Sequence, residues 1–235
     1  MGRAFEFRKG RKMKRWDRMA KAFTRIGKDI AIAVKASGPN PQTNPRLRVA
    51  IANAKGVNMP KDRIDAAIKR ASSKEEKDFS EVNYEGYAPH GVAVLAECAT
   101  DNPTRTVANI RMYFSKCDGA LGKTGSLDFI FDRKGVFKIN PDGLNLEDLE
   151  LELIDFGAED IFQDEEGIHV YTKFEDFGMM SKALEEKNLN VISQELQRIP
   201  NTLVELDETQ EEGIWKLIEM LEEDDDIQAV YHNMK

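Results

Sequence analysis

The sequence predicts a multi-domain α+β protein: an N-terminal three-helix domain, an α+β domain, and a ferredoxin-like α+β domain inserted into it. Three observations predict this. Apolar residues recur at helical spacing through the first 70 residues. Strand signals begin only after a polar stretch without periodicity, Ser72 to Asp78. From Gly135 onward the order strand, helix, strand, strand, helix, strand forms the β-α-β-β-α-β unit. The expected boundaries are residues 1–75, residues 80–133 together with 203–235, and residues 134–202. A chain of 235 residues is long enough for two or three small cores.

In the front part, Lys14 to Lys35 reads as a helix. Trp16, Met19, Ala20, Phe23, Ile26, Ile30 and Val34 fall on one side at ~100° per residue. Lys14, Arg18, Lys21, Arg25 and Lys28 line the other side, and Lys35 extends the row. At ~1.5 Å per residue such a helix is about 33 Å long. A solvated face normally mixes signs to avoid like-charge repulsion at i,i+4, and this one is all cationic. Met1 to Arg15 reads as a flexible basic arm that orders on nucleic acid. Ser37 to Pro41 is a loop. Asn44 then caps a second helix that opens on Pro45, packs through Leu47, Ala50, Ile51 and Ala54, and stops at Gly56. Pro60 starts a third, with Ile64, Ala67, Ile68 and Ala71 on its apolar side. Both apolar faces are narrow, so the three helices need one another.

Beyond the polar stretch, Val82–Tyr87 and Val92–Ala99 form a hairpin across Ala88-Pro89-His90-Gly91. Asn102-Pro103 opens a helix to about Lys116, buried through Val107, Ile110 and Phe114. Gly119 to Gly125 is a turn, and Ser126 to Asp132 reads as an alternating strand carrying Leu127, Phe129 and Phe131. Within the inserted unit the expected elements are strand 135–139, helix 146–156, strands 158–163 and 167–172, helix 174–187 and strand 190–198. The last helix, with Ile214, Trp215, Ile218 and Leu221, and a strand near Ile227 to Tyr231 return to complete the earlier sheet.

Charge is divided unevenly along the chain. Residues 1–70 hold 19 Lys and Arg against 5 Asp and Glu, and the rest hold 15 against 37. A net charge of −8 therefore conceals +14 in front and −22 behind. Such asymmetry points to a polyanion partner for the basic part. No apolar run approaches the ~20 residues of a membrane span, so no membrane partner is expected. No apolar secretory segment opens the chain, and its Arg-rich start lacks the serines of a transit peptide. The two cysteines, Cys98 and Cys117, are not in a metal or redox spacing, which places the chain in a reducing cytoplasm.

No enzyme-like feature is complete. Gly122-Lys123-Thr124 ends like a phosphate-binding loop, but Cys117 occupies the first glycine position and no helix follows. His90, His169 and His232 lie in separate elements without companions at ligand spacing. Asp101 beside Arg105 could be a base, but Asp101 or Asn102 reads rather as the cap of the helix that follows, and Glu222 to Asp226 as a solvated connector. No nucleophile, base and oxyanion donors assemble, so a non-enzyme without metal or cofactor is expected.

Asn44-Pro45-Arg46-Leu47-Arg48, then Ala50-Ile51, Ala54-Lys55, Asn58-Met59-Pro60-Lys61-Asp62 and Ala67-Ile68-Lys69-Arg70 closely resemble the signature of the YebC/PmpR family. The resemblance continues through Tyr84-Glu85-Gly86-Tyr87, Thr100-Asp101-Asn102, Arg105-Thr106 and Gly125-Ser126. The chain departs from the family at Gly2 to Phe7, where a Gly-His-Ser-Lys-Trp-like segment is usual. It departs again at Ala88 to Gly91, where a more glycine-rich loop is usual. The resemblance implies the three-domain fold above and a DNA-binding transcriptional regulator. Because the family includes the mitochondrial translational activator of cytochrome c oxidase, it equally implies an RNA- or ribosome-associated translation factor. A third reading is an acidic module that senses a ligand or oligomerises and so controls the basic domain. The expected phosphate contacts are Arg3, Arg8, Lys9, Arg11, Lys12, Lys14, Arg18, Lys21, Arg25, Lys28, Lys35, Arg46, Arg48, Lys55, Lys61 and Arg63.

Overall fold

The computed structural model describes residues 3–73 and 78–235, with side chains from Met19 onward. The polar stretch read as a linker has residues 74–77 outside that range. The core role of Trp16, and the phosphate roles of Arg3, Arg8, Lys9, Arg11, Lys12, Lys14 and Arg18, concern side chains that also lie outside it. The chain divides into two compact units, Met1–Phe79 and Ser80–Lys235.

The first unit holds α1 (Arg3–Ser37), α2 (Pro45–Gly56) and α3 (Lys61–Ala71). Helix α1 begins at Arg3, so the stretch expected as a flexible arm continues the helix. Arg, Lys, Met and Ala are good helix formers, and no proline interrupts them, though the helix carries Gly10 in its interior. The core joins Ile26, Ile30 and Val34 of α1 to Leu47, Ala50 and Ala54 of α2 and Ile64, Ala67 and Ala71 of α3. Phe23, Ile51 and Ile68 pack at its edge. Met19 and Ala20, expected on the buried side, are exposed. At ~1.5 Å per residue, α2 and α3 cover only about 16–18 Å of the much longer α1. The reversal after α2 occurs at Asn58, with φ 58°, rather than at Gly56, which remains inside the helix. Asparagine tolerates this left-handed conformation better than most residues.

The second unit runs β1 (Ser80–Tyr87), β2 (Ala93–Thr100), α4 (Pro103–Lys116), β3 (Ala120–Leu121), β4 (Phe131–Ile139), α5 (Leu146–Ile154), β5 (Ala158–Asp164), β6 (Gly167–Lys173), α6 (Phe177–Glu186), β7 (Val191–Pro200), α7 (Glu208–Glu223) and β8 (Ile227–His232). Two four-stranded sheets result, ordered β3-β1-β2-β8 and β5-β6-β4-β7. All their strand pairs are antiparallel. The second sheet is built wholly from chain that leaves the first after β3 and returns at β8.

In the first sheet, Val94, Ala96 and Cys98 pack against Ile110 and Phe114 of α4 and Ile214, Leu217, Ile218 and Leu221 of α7. The opposite face sets Ala93 and Leu95 against Leu127, Ile130 and Phe131. Strand β2 is therefore covered on both faces and paired on both edges. In the second sheet, Phe137, Ile139, Ile168 and Val170 bury against Leu149, Leu153, Met180 and Leu184 of α5 and α6, and no helix packs on the other face, whose outer residues Asp160, Phe162 and Glu195 are exposed around a buried Val136.

Long-range polar contacts depart from the local expectations. Residues 126–130 are a helical turn rather than a strand, with the Phe131 N–H donating to the Leu127 carbonyl at 3.3 Å. The buried Glu85 carboxylate fixes this turn. It accepts from the N–H groups of Gly125 and Leu127, both at 2.8 Å, and from the Ser126 hydroxyl at 3.3 Å. Strand β4 then runs unbroken across the expected boundary at residue 134. Within the expected turn after α4, Ala120 and Leu121 pair with Tyr87 and Gly86 as β3. Gly86 is required there, since a Cβ on it would stand 2.6 Å from the Ala120 carbonyl oxygen.

The acidic run before β8 is not merely solvated. Asp226 is 6% exposed and accepts from Arg105 at 2.6 Å, the Thr106 hydroxyl at 2.9 Å and the Thr100 hydroxyl at 3.2 Å. Asp224 accepts from Tyr113 at 3.0 Å and Asn109 at 3.2 Å. Asn102 caps α4 through the Arg105 N–H, while Asp101 pairs with the Arg105 guanidinium at 2.9 Å.

Asn233, 3% exposed, ties β2 to the segment that follows β7. Its side-chain carbonyl accepts the Ala93 N–H at 2.8 Å and its amide donates to the Thr202 carbonyl at 3.1 Å. Its backbone N–H donates to the Ala93 carbonyl at 3.3 Å, and its own carbonyl accepts the Val204 N–H at 2.8 Å. Asn233→Ala leaves the Ala93 N–H and Thr202 carbonyl unpaired. It is expected to destabilise the second unit by about 2–4 kcal/mol, measured by urea unfolding.

On β8, His232 meets the Trp215 ring edge-on at 5.6 Å. Burial holds its imidazole below the ordinary value of 6.5. A histidine kept neutral by folding contributes stability that is present above its unfolded pKa and lost as pH falls through the folded one. His232→Phe is therefore expected to flatten the decline in urea midpoint between about pH 7 and pH 5.

Candidate nucleic-acid interface

The first unit places its cations in two distinct settings. Four expected contacts are held by groups of the unit itself. Arg48 donates to the Pro41 carbonyl at 2.9 Å and the Gln42 carbonyl at 3.2 Å, bracing the loop before α2. Lys35 reaches the Ser73 carbonyl at 3.4 Å and the Asp78 carboxylate at 3.2 Å. Lys28 lies 5.3 Å from the centre of the Phe79 ring and Arg63 5.7 Å from that of Phe23. Such contacts leave a cation's charge in place but hold its side chain.

Arg46, Lys55 and Lys61 are exposed, and Lys21 and Arg25 are half-buried along α1. Lys69 and Arg70, in the last turn of α3, add cations that the expected set omits. A cation there also complements the helix dipole. The tandem pair closing the Ala67-Ile68-Lys69-Arg70 motif was the available signal. The helices differ in purity: α2 has Arg46, Arg48 and Lys55 and no acid, whereas α3 intersperses Asp62 and Asp65.

Asn44 joins the helices that present these charges. It is 1% exposed, and its side-chain oxygen accepts the Leu47 N–H at 3.0 Å, capping α2. Its amide donates to the Ala33 carbonyl at 2.7 Å and the Gly38 carbonyl at 2.8 Å, closing the end of α1. One short side chain thus satisfies carbonyls at the C-terminal end of one helix and an N-terminal donor of the next.

Among the described residues no three His, Cys, Asp or Glu side chains cluster in a way that could hold a metal ion, and no helix is long and apolar enough to cross a membrane. Chemically, the front unit offers ammonium and guanidinium groups on helical supports. Such an array suits a repeating phosphate chain.

This architecture defines a class: a cationic three-helix unit in front of an acidic α+β unit whose first sheet is interrupted by a complete β-α-β-β-α-β insertion. The chain belongs to the TACO1/YebC family. The model of that family's N-terminal domain matches residues 3–74, and the model of its second and third domains matches residues 79–234. A protein of Cytophaga hutchinsonii named a probable transcriptional regulatory protein is 64% identical over 234 residues, covering 100% of this chain and 98% of that one. Relatives with the same name in Flavobacterium johnsoniae and Myxococcus xanthus are 58% and 51% identical; each alignment covers 100% of this chain, and 99% and 100% of theirs respectively. A solved structure of a conserved hypothetical protein from Aquifex aeolicus is similar with a TM-score of 0.81 and 38% identity, covering 92% of this chain and 90% of that one.

Removing the Asn44 side chain leaves two carbonyls and a helix donor without their partner. Asn44→Ala is expected to destabilise the first unit by about 2–3 kcal/mol, read from the fall of helical circular dichroism on heating.

Proposed function

We propose that the protein is a non-enzymatic regulator of gene expression that acts in the cytoplasm and grips nucleic acid through the cationic surface of its first unit, with duplex DNA as its principal partner. The observation that carries this reading is the division of charge, +14 over residues 1–70 and −22 over the remainder. Residues 1–70 are drawn to a polyanion while the remainder of the chain is repelled. The sign purity of α2 and the long row on α1 support binding along a backbone. The names of the relatives, probable transcriptional regulatory proteins, favour DNA.

A second reading, RNA within the ribosome, is favoured by the chemistry of the exposed groups. Lysine and arginine on helical supports grip phosphates and carry no base information by themselves, so either backbone fits. Binding to duplex DNA and to purified ribosomes at matched salt separates the two, and association with ribosomes alone overturns the DNA reading.

Lys21, Lys55 and Lys61 on the one hand and Arg48 on the other predict different phenotypes. Lys21→Gln, Lys55→Gln and Lys61→Gln combined are expected to weaken binding equally across sequences. The logarithmic salt slope should fall by about 0.9 for each phosphate of B-DNA that the variant no longer neutralises. An unchanged slope in a folded triple variant overturns the assignment. Arg48→Gln is expected instead to loosen the loop before α2, seen as a lower melting temperature.

A further inference from the structure

The second sheet covers one face with α5 and α6 and leaves the other without a helix. Strand register fixes what that other face carries. Asp160, Tyr171, Val136 and Glu195 stand in one row across β5, β6, β4 and β7. Phe162, His169, Lys138 and Ser193 form the next. Phe162 stacks on His169 with ring centres 5.0 Å apart and planes 13° apart, and on Tyr171 at 5.8 Å and 22°. Phe162 is 40% exposed. Three rings thus form a nearly parallel tier, with Phe162 exposed and His169 and Tyr171 half-buried.

An aromatic tier on a β-α-β-β-α-β sheet is the geometry with which some domains stack the bases of single-stranded RNA. Charge argues against that occupant. Residues 134–202 hold 6 Lys and Arg against 16 Asp and Glu, which repels a phosphate chain. Two lysines of this face are paired within the sheet, Lys134 with Glu159 at 2.5 Å and Lys138 with Glu166, while exposed Lys173 stands opposite Lys134. Asp164 bonds to His169 at 3.1 Å, and its carboxyl is held below the ordinary range, first by the Glu166 N–H. Burial first, and then the charges of Asp160 and Asp164, push the Tyr171 hydroxyl up. Exposed Asp160 and Glu195 close the two ends of the Tyr171 row.

We infer that this face is a docking surface for an extended lysine- and arginine-rich polypeptide segment. Cationic heads lie over the Phe162 and Tyr171 rings, while Asp160 and Glu195 neutralise their charge. Aromatic faces attract cations, and a desolvated ammonium or guanidinium gains most when a carboxylate stands beside the ring. With strands about 4.8 Å apart, Asp160 and Glu195 are separated by roughly 14 Å across the sheet. An extended peptide crossing the strands spans that distance with basic residues about four positions apart. The site is separate from the cationic surface of the first unit and does not depend on how that surface is used.

The test is fluorescence anisotropy with the full-length protein and a labelled synthetic peptide carrying arginines four residues apart. An acidic peptide of equal length and a labelled oligouridylate serve as the other probes. The arginine peptide is expected to bind and the acidic one not. Phe162→Ala is expected to weaken arginine-peptide binding by about 3- to 30-fold. Asp160→Asn with Glu195→Gln should weaken it and reduce its salt dependence, while Tyr171→Phe, which keeps the ring, should leave it within about twofold. Glu147→Gln with Glu150→Gln, the same charge change on α5, should have no effect. Circular dichroism establishes folding of each variant. The inference is overturned if the arginine peptide does not bind, or if Phe162→Ala leaves its affinity unchanged. It is also overturned if the α5 variant weakens binding as much as the Asp160 and Glu195 variant, or if Phe162→Ala weakens oligouridylate binding instead.

Discussion

Closure of the first sheet around β2 is the constraint on which the second unit rests. Strand β2 is covered on both faces and flanked by β1 and β8, and β8 comes from the far end of the sequence. The pairing forces the chain to leave, build a complete second sheet, and return. Asn233 fixes the return by bonding both β2 and the segment that leaves β7. The Asp226 carboxylate reinforces the same closure, since its three donors lie at the end of β2 and the start of α4. Within the run of acids preceding β8, Asp224 and Asp226 are thus structural.

A similar economy organises the first unit. Asn44 closes α1 and opens α2 with a single side chain, so the angle at which the cationic helices meet is set inside the core. Charge also divides between the units, with a net +14 over residues 1–70 and −22 over the remainder.

Local rules made much of this legible. Asn44 and Asn102 announced their helices because capping is decided within three residues. The order of the inserted unit followed from periodicity alone. Legibility failed where a distant group decided the outcome. Leu127, Phe129 and Phe131 alternate like a strand, but Glu85, some 40 residues earlier, draws the N–H groups into a turn and leaves Phe129 71% exposed. Asp226 reads as solvated until α4 is folded beside it. Among the basic residues, charge was plain from the sequence. Which cations were taken up within the unit, such as Arg48 and Lys35, depended on loops and rings brought near only by folding. Lys69 and Arg70 extend no long cationic row, so spacing alone gave the pair no prominence.

The chain order has a consequence for synthesis. A nascent polypeptide has everything needed for the inserted sheet well before residue 227 leaves the ribosome, so that sheet is free to form first. Until then β2 keeps an unpaired edge, the kind that invites joining to another chain. Strand β8 therefore acts as a latch, and a chain cut before residue 227 would have an intact inserted sheet beside a sticky, unclosed neighbour.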